Sequence, residues 1–261
     1  MNSFLKLSFS FIVVLLTGCA SSIKVPVTEL HNKQIVELPT ELHLVKGGKA
    51  PTVILLHGCG GPIYGHTKEW VDVVNSWGYN AVVVNSIAPR SANQICNRPL
   101  AVVTYEQRSA DAYDVAQWIK KQEWATDKVG LIGFSHGGGA VLFSAESRYV
   151  EHNFGKQIIA AGVAFYPYCQ PNQMWKAVIP VQIHSGTDDN WTPAMFCRDL
   201  AKNWKSDYYE YEGATHGFDM VGFNSQSFPD AYGKVHWLKY DRANTELARD
   251  RTKQFLDKYL K

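Results

Sequence analysis

Residues 129–139 read Val-Gly-Leu-Ile-Gly-Phe-Ser-His-Gly-Gly-Gly, and no other stretch restricts the fold of this chain as much. A buried strand passes into a helix with only a Gly-x-Ser-x-Gly turn between them. A serine at the apex of such a turn is held in a strained backbone conformation with its oxygen thrust outward. A β-carbon two residues to either side would not fit, which accounts for Gly133 and Gly137. The helix that follows points the positive end of its dipole at any charge that forms beside Ser135. Taken alone, the string fits a solvated serine in a glycine-rich turn equally well. The rest of the chain decides between the two.

Strands and helices alternate along it. Thr52–Leu56, Tyr79–Asn85, Asp127–Ser135, Ile158–Pro167 and Val178–Ser185 are near-continuous apolar runs, as strands buried on both faces are, and Asp207–Tyr211 is the last strand. Helical spacing falls between them, at 67–77, 105–124, 140–149 and 194–204, and again at 244–260. Ile35–Pro39 and Glu41–Val45 alternate apolar with polar residues and read as a pair of edge strands joined at a Pro-containing turn. The fold class is therefore α/β, with a mostly parallel central sheet and helices on both faces. The aromatic segment at 222–240 reads as core rather than as pocket wall.

A serine hydroxyl needs a base within hydrogen-bond reach, and that base needs a group to fix its tautomer. All three must meet outside the carboxyl ends of the strands. Downstream of Ser135 two loops leave strand ends with suitable residues, in the order Ser, Asp, His. Of nine histidines, His216 lies after the last strand, in Ala-Thr-His-Gly-Phe, and is the candidate base. Asp189 is the candidate orienting carboxylate; Asp188 competes with it, and the position relative to Pro193 favours Asp189. The backbone N–H groups of His136 and Cys59, the latter in the loop His-Gly-Cys-Gly-Gly after Leu56, are the expected oxyanion donors. Arg90 and Trp191 are candidate substrate contacts, with a salt bridge the alternative for Arg90. No metal-ligand spacing and no cofactor motif is present.

The first residues carry one positive charge and an apolar run at 7–17, too short to span a bilayer. Leu-Thr-Gly-Cys at 16–19 resembles a bacterial lipobox, so residues 1–18 are expected to be a cleaved signal and Cys19 a lipidated anchor in the cell envelope, with outer-membrane sorting suggested by Ala20. Residues 19–34 read as a tether and 35–261 as the domain. The net charge of +2, without clusters of Lys and Arg, excludes a nucleic-acid footprint. Cys59, Cys96, Cys169 and Cys197 remain; in an oxidising compartment four cysteines allow three pairings, and four free thiols are the alternative.

Gly133–Gly138, Asp188–Pro193 and Ala214–Asp219 together resemble the dienelactone hydrolase family of α/β-hydrolases, over roughly residues 42–260. The resemblance implies an esterase or lactonase acting on a small ester or lactone, with Ser135 as nucleophile. The dienelactone hydrolases proper carry a cysteine nucleophile and a carboxylate in the first loop; Ser135 and His57-Gly58-Cys59 resemble instead a secreted, serine-bearing branch. That branch implies the bridges Cys59–Cys96 and Cys169–Cys197. A lipid-anchored binding protein of the same fold, and an acyltransferase or peptidase, are the competing functions.

Overall fold

Apolar side chains fill both pleats of the central strands, and the two sets go to opposite faces. In β3 (Ala50–Leu56) and β4 (Asn80–Val84), Val53, Leu55, Ala81 and Val83 join one core, while Ile54, Leu56, Val82 and Val84 join the other. Period-two side-chain alternation demands this division once helices cover both faces. The computed structural model describes residues 20–90, 94–96, 103–170, 175–230 and 232–261. Residues 1–19, and with them the expected signal and Cys19, lie outside the described residues.

The remaining strands are β1 (Ala20–Thr28), β2 (Ile35–His43), β5 (Ala125–Phe134), β6 (Ala161–Phe165), β7 (Val181–Gly186) and β8 (Asp207–Tyr211). They form one sheet in the order β1-β2-β4-β3-β5-β6-β7-β8. From β4 to β8 every pairing is parallel, so those strands end at a single rim. One face is covered by α1 (Tyr64–Ser76) and α6 (Arg242–Leu260), which bury Trp70, Val74, Phe255 and Leu256. The other is covered by α2 (Tyr105–Ile119), α3 (His136–Ala145), α4 (Ser147–Phe154) and α5 (Ala194–Trp204). The single helix expected over 140–149 is instead α3 and α4, divided at Glu146. Glu146 is extended, with ψ 125°, and its carboxylate accepts from the N–H of Tyr149 at 2.7 Å to cap α4.

The N-terminal part departs most from expectation. Residues 20–28 are no tether. They form β1, paired antiparallel with β2 along its whole length, and Val25 and Val27 are buried in the core. The apolar positions Ile23, Val25 and Val27 alternate with polar or proline positions, the pattern of a half-buried strand. The domain therefore includes residues that the expected boundary at 35 leaves out. The two short edge strands expected at 35–45 are one strand, β2, running straight through Pro39. The carbonyl of Pro39 accepts from the N–H of Asn85, on the side where β4 has already ended at the pair Thr40–Val84. The missing N–H of Pro39 falls on that same side and costs no ladder bond.

The segment 222–240 is also not core. It forms a hairpin of β9 (Gln226–Pro229) and β10 (Val235–Leu238), separate from the main sheet. Tyr232 and Trp237 on it are exposed.

If β1 belongs to the core, Val25→Ala should lower the unfolding free energy by about 1–3 kcal/mol, the cost of lost methyl burial plus a cavity. Ile35→Ala, at a position 64% exposed, should change it by less than about 0.5 kcal/mol. Urea unfolding of the two variants beside the wild type measures both.

Candidate active site

The site is built outward from the turn at Ser135. Ser135 has φ 52° and ψ −113°, a conformation in which a non-glycine residue is strained. Neighbouring backbone holds it there. Its N–H donates to the carbonyl of Phe165 at 2.9 Å, and its carbonyl accepts from Gly139 at 3.0 Å. A β-carbon on Gly133 would stand 2.2 Å from the carbonyl oxygen of Gly137, and one on Gly137 would stand 2.0 Å from that of Leu56. Both positions therefore admit glycine only. The first loop comes equally close, since a β-carbon on Gly58 would lie 3.7 Å from Cβ of Ser135.

Two further loops bring the partners. His216 follows β8 and is buried; its Nε2 lies 2.9 Å from the Ser135 hydroxyl, and its Nδ1 lies 2.8 Å from Oδ2 of Asp189. An ionised carboxylate only accepts, so Nδ1 carries the proton and Nε2 is left to accept from the serine. Asp189 is buried, and its other oxygen accepts from the N–H groups of Trp191 and Thr192, both at 2.8 Å. Burial opposes its ionisation. The His216 imidazole and the Thr192 donors outweigh that and hold its carboxyl below the usual range. Asp188 is exposed, its N–H donating to the carbonyl of Ala214 at 3.0 Å, and it stands apart from His216.

The cavity in front of Ser135 has a volume of about 410 Å³. His57, Gly58 and Cys59 form one side of it, and Trp191 and His216 another, with the Trp191 ring 5.1 Å from the imidazole. Phe223, Phe228 and Leu238 of the hairpin segment close the top. The disulfide Cys59–Cys96 ties down the first loop, and Cys59 also accepts from Ile95 N–H at 2.8 Å. The second disulfide, Cys169–Cys197, ties the loop after β6 to α5. The N–H of His136, first residue of α3, has no intrahelical acceptor and points out at the helix start.

Arg90 is not in the site. Its guanidinium is buried, with Nε donating to Glu29 at 2.7 Å and the two terminal nitrogens to Asp111 at 2.8 and 2.9 Å. Two carboxylates and the Ser86 carbonyl take four of its five N–H donors, and its charge is already paired.

Sequence reasoning missed two features. Thr192 places its hydroxyl 2.8 Å from Oδ2 of Asp189, 3.1 Å from Nδ1 of His216 and 3.0 Å from the carbonyl of Tyr166. The signal was a threonine three residues after the aspartate, where a side chain bonds back to a turn. The other is Asp219, fully buried, which accepts from His66 Nε2 at 2.8 Å, from the Trp70 indole at 2.7 Å and from the Tyr166 hydroxyl at 2.7 Å. Those partners lie far apart in the chain, and only the tertiary fold unites them.

A match to the family described as Dienelactone hydrolase family spans residues 39–260. The chain belongs to the dienelactone hydrolase family. Comparison with functionally curated sequences gives no match. Among solved structures, the dienelactone hydrolase of Anabaena variabilis ATCC 29413 superposes with a TM-score of 0.68 at 15% identity, covering 94% of this chain and 100% of that one. The Pyrococcus furiosus esterase Pf2001 gives 0.63 at 16% identity, covering 92% and 94%. A dienelactone hydrolase-like promiscuous phosphotriesterase from metagenomic libraries gives 0.65 at 16% identity, covering 94% and 100%. At such identities the likeness is one of fold. Membership of the dienelactone hydrolase family supports a hydrolase.

Among the residues that build this dienelactone hydrolase family site, Asp219 carries a pH signature. Burial pushes its carboxyl up, but His66, Tyr166 and Trp70 outweigh burial and hold it below the usual range. A carboxyl depressed in the folded state stabilises the fold above its unfolded value, about 3.9, and loses that contribution as pH falls through the folded value. Asp219→Asn should therefore be less stable than wild type at pH 7, by about 1–3 kcal/mol for the mismatched buried donors. The gap should narrow below about pH 4. Denaturant melts of both proteins at the two pH values measure it.

Proposed function

We propose that the protein is a serine hydrolase of carboxylic esters or lactones, lipid-anchored through Cys19 in a bacterial cell envelope. The observation that carries the reading is the unbroken line of hydrogen bonds from Asp189 through His216 to Ser135, opening on a cavity. His216 Nε2 takes the hydroxyl proton as Ser135 Oγ bonds to the carbonyl carbon. Asp189 keeps the imidazole in the Nδ1–H tautomer and faces the imidazolium that forms. The oxyanion accepts from the N–H groups of Cys59 and His136, beside the positive end of α3. The carbon–oxygen bond to the leaving group breaks, His216 returns the proton to that oxygen, and an acyl-enzyme remains on Ser135. Water, deprotonated by His216, then attacks the acyl carbon; the acid departs and Ser135 recovers its proton.

Leu55, Ile63, Phe134, Met220, Phe223 and Phe228 are among the lining residues and favour an apolar acyl or alcohol group. Two disulfides accord with an exported chain. No metal or cofactor takes part in these steps.

Ser135→Ala should abolish hydrolysis of a simple aryl ester and labelling by a fluorophosphonate. Asp189→Asn should lower kcat by on the order of 10³–10⁴, while Asp188→Asn should stay within about twofold of wild type. Wild-type protein that is folded but silent toward both ester and probe would favour the binding-protein reading instead. For the anchor, Cys19→Ser should prevent incorporation of labelled fatty acid and move the protein out of the membrane fraction of expressing bacteria; unchanged labelling would refute lipidation at that residue.

A further inference from the structure

The two backbone donors assigned to the oxyanion come from separate loops, one after β3 and one at the start of α3. Backbone packing of Gly137 on Leu56 and His57 brings them together, but the first disulfide does not join them, because Cys59–Cys96 links the first loop to residue 96 and not to α3. One side chain hydrogen-bonds to both. Arg108 lies in the first turn of α2, whose start is capped by the Thr104 hydroxyl accepting from Gln107 N–H at 3.1 Å. Its side chain runs inward and is fully buried. One terminal nitrogen donates to the carbonyl of His57 at 2.6 Å. The other donates to Nδ1 of His136 at 3.1 Å. A guanidinium is planar and only donates, so the two bonds hold both loops to one rigid plate and fix the His136 proton on Nε2.

This arrangement is costly to the fold. Among the described residues, Arg108 Nε is buried with no hydrogen-bond partner. Burial lowers the guanidinium to about 10, which still leaves it charged at neutral pH. The His136 ring, buried and beside that charge, is lowered to about 2 and stays neutral. The Asp111 carboxylate, whose charge acts on it, is already committed to Arg90. A buried cation whose bonds go to one carbonyl and one imidazole, with no carboxylate of its own, is weak as a stability device. Its two partners are the residue adjoining Gly58-Cys59 and the residue that follows Ser135.

We propose that Arg108 is a positioning residue for the oxyanion hole, setting the spacing between the N–H groups of Cys59 and His136. The inference rests on the ester-hydrolase reading given above. It acts through the two loops and touches no substrate: Arg108 does not line the cavity. Removing the bridge lets the donors drift from the point they share, which weakens binding of the tetrahedral oxyanion and leaves ground-state binding alone.

The test compares wild type, Arg108→Met and Arg108→Lys in full-length protein. It measures kcat and KM for p-nitrophenyl acetate, the Kd of a trifluoromethyl ketone that adds to Ser135 as an oxyanion, and the melting temperature. Loss of one oxyanion donor lowers kcat by about 10²–10³. Arg108→Met should approach the lower end of that range, with KM within about twofold of wild type and ketone affinity falling in step with kcat. Arg108→Lys, able to hold one loop, should recover part of both. Should Arg108→Met fail to fold, His136→Ala carries the test: it keeps the backbone N–H and removes one end of the bridge, and it should lower kcat and ketone affinity together, about tenfold. Folded variants with kcat and ketone affinity within about threefold of wild type would overturn the proposal. So would a loss carried by KM instead of kcat. A wild type that neither turns over the ester nor takes the ketone refutes the hydrolase reading, and this inference with it; an active wild type whose folded Arg108 variants keep its kcat and ketone affinity refutes only the inference.

Discussion

Everything at the rim depends on a contact between two backbones. β3 and β5 are neighbours in the sheet, and where they end, the turn at Gly133–Gly137 lies against the carbonyls of Leu56 and His57 with no room for a single extra carbon. Close packing of backbone on backbone is the one way to bring a strained serine, the first residue of a helix and a glycine-rich loop within a few ångströms of each other. The strain at Ser135, about 1–3 kcal/mol for such a conformation, persists because Phe165 and Gly139 fix the backbone on either side. A β-carbon at 137 would not merely destabilise this contact. It would separate the loop from the serine.

A second residue does for the other loops what the glycines do for the turn. Tyr166 also sits at positive φ, 37°, at the end of β6. Its N–H donates to the His184 carbonyl of β7, its carbonyl lies 3.0 Å from the Thr192 hydroxyl in the loop after β7, and its hydroxyl donates to Asp219 after β8. Its ring stands edge-on to His216 with centroids 4.7 Å apart. Three loops that carry nothing in common in sequence thus share one anchor. The buried Asp219 anion is sustained by three donors, while the buried Asp189 anion is sustained by two N–H groups, a hydroxyl and an imidazole. Satisfied in this way, buried charges fix geometry instead of undermining it.

How much of this could be read from the chain follows from the range of the forces involved. The strands β3 to β7 were legible because near-continuous apolar runs have few other uses, and the turn was legible because its glycines are dictated by backbone contact alone. His216 and Asp189 were legible because parallel strands deliver their loops to one rim, so order along the chain becomes proximity. Arg90 was misplaced for the opposite reason. Its loop position was right, but Glu29 and Asp111, distant in sequence, claimed its guanidinium. The aromatic segment 222–240 was misjudged as core because composition does not distinguish a side chain facing a cavity from one facing a neighbour. β1 was overlooked although Val25 and Val27 show the alternation; the polar residues around them, and the closeness of the expected cleavage site, masked a short signal.

β1 also bears on how an anchored form would stand. Ala20 pairs with His43, and His43 pairs with Ala81 at the start of β4, whereas Val84 at the other end of β4 pairs with Leu56 at the rim beside the first loop. β1 therefore begins at the end of the sheet opposite the site, three strand steps of about 3.3 Å away along β4 alone. With a tether over 19–34 the domain could turn any side to a membrane. With β1 zipped to β2 from its first residue, that freedom is gone, and a lipid on the preceding cysteine, as proposed, would hold the far end of the sheet near the bilayer with the cavity turned outward. Substrate would then reach Ser135 from the aqueous side, which suits an enzyme for dissolved esters better than one for acyl chains still embedded in the same membrane.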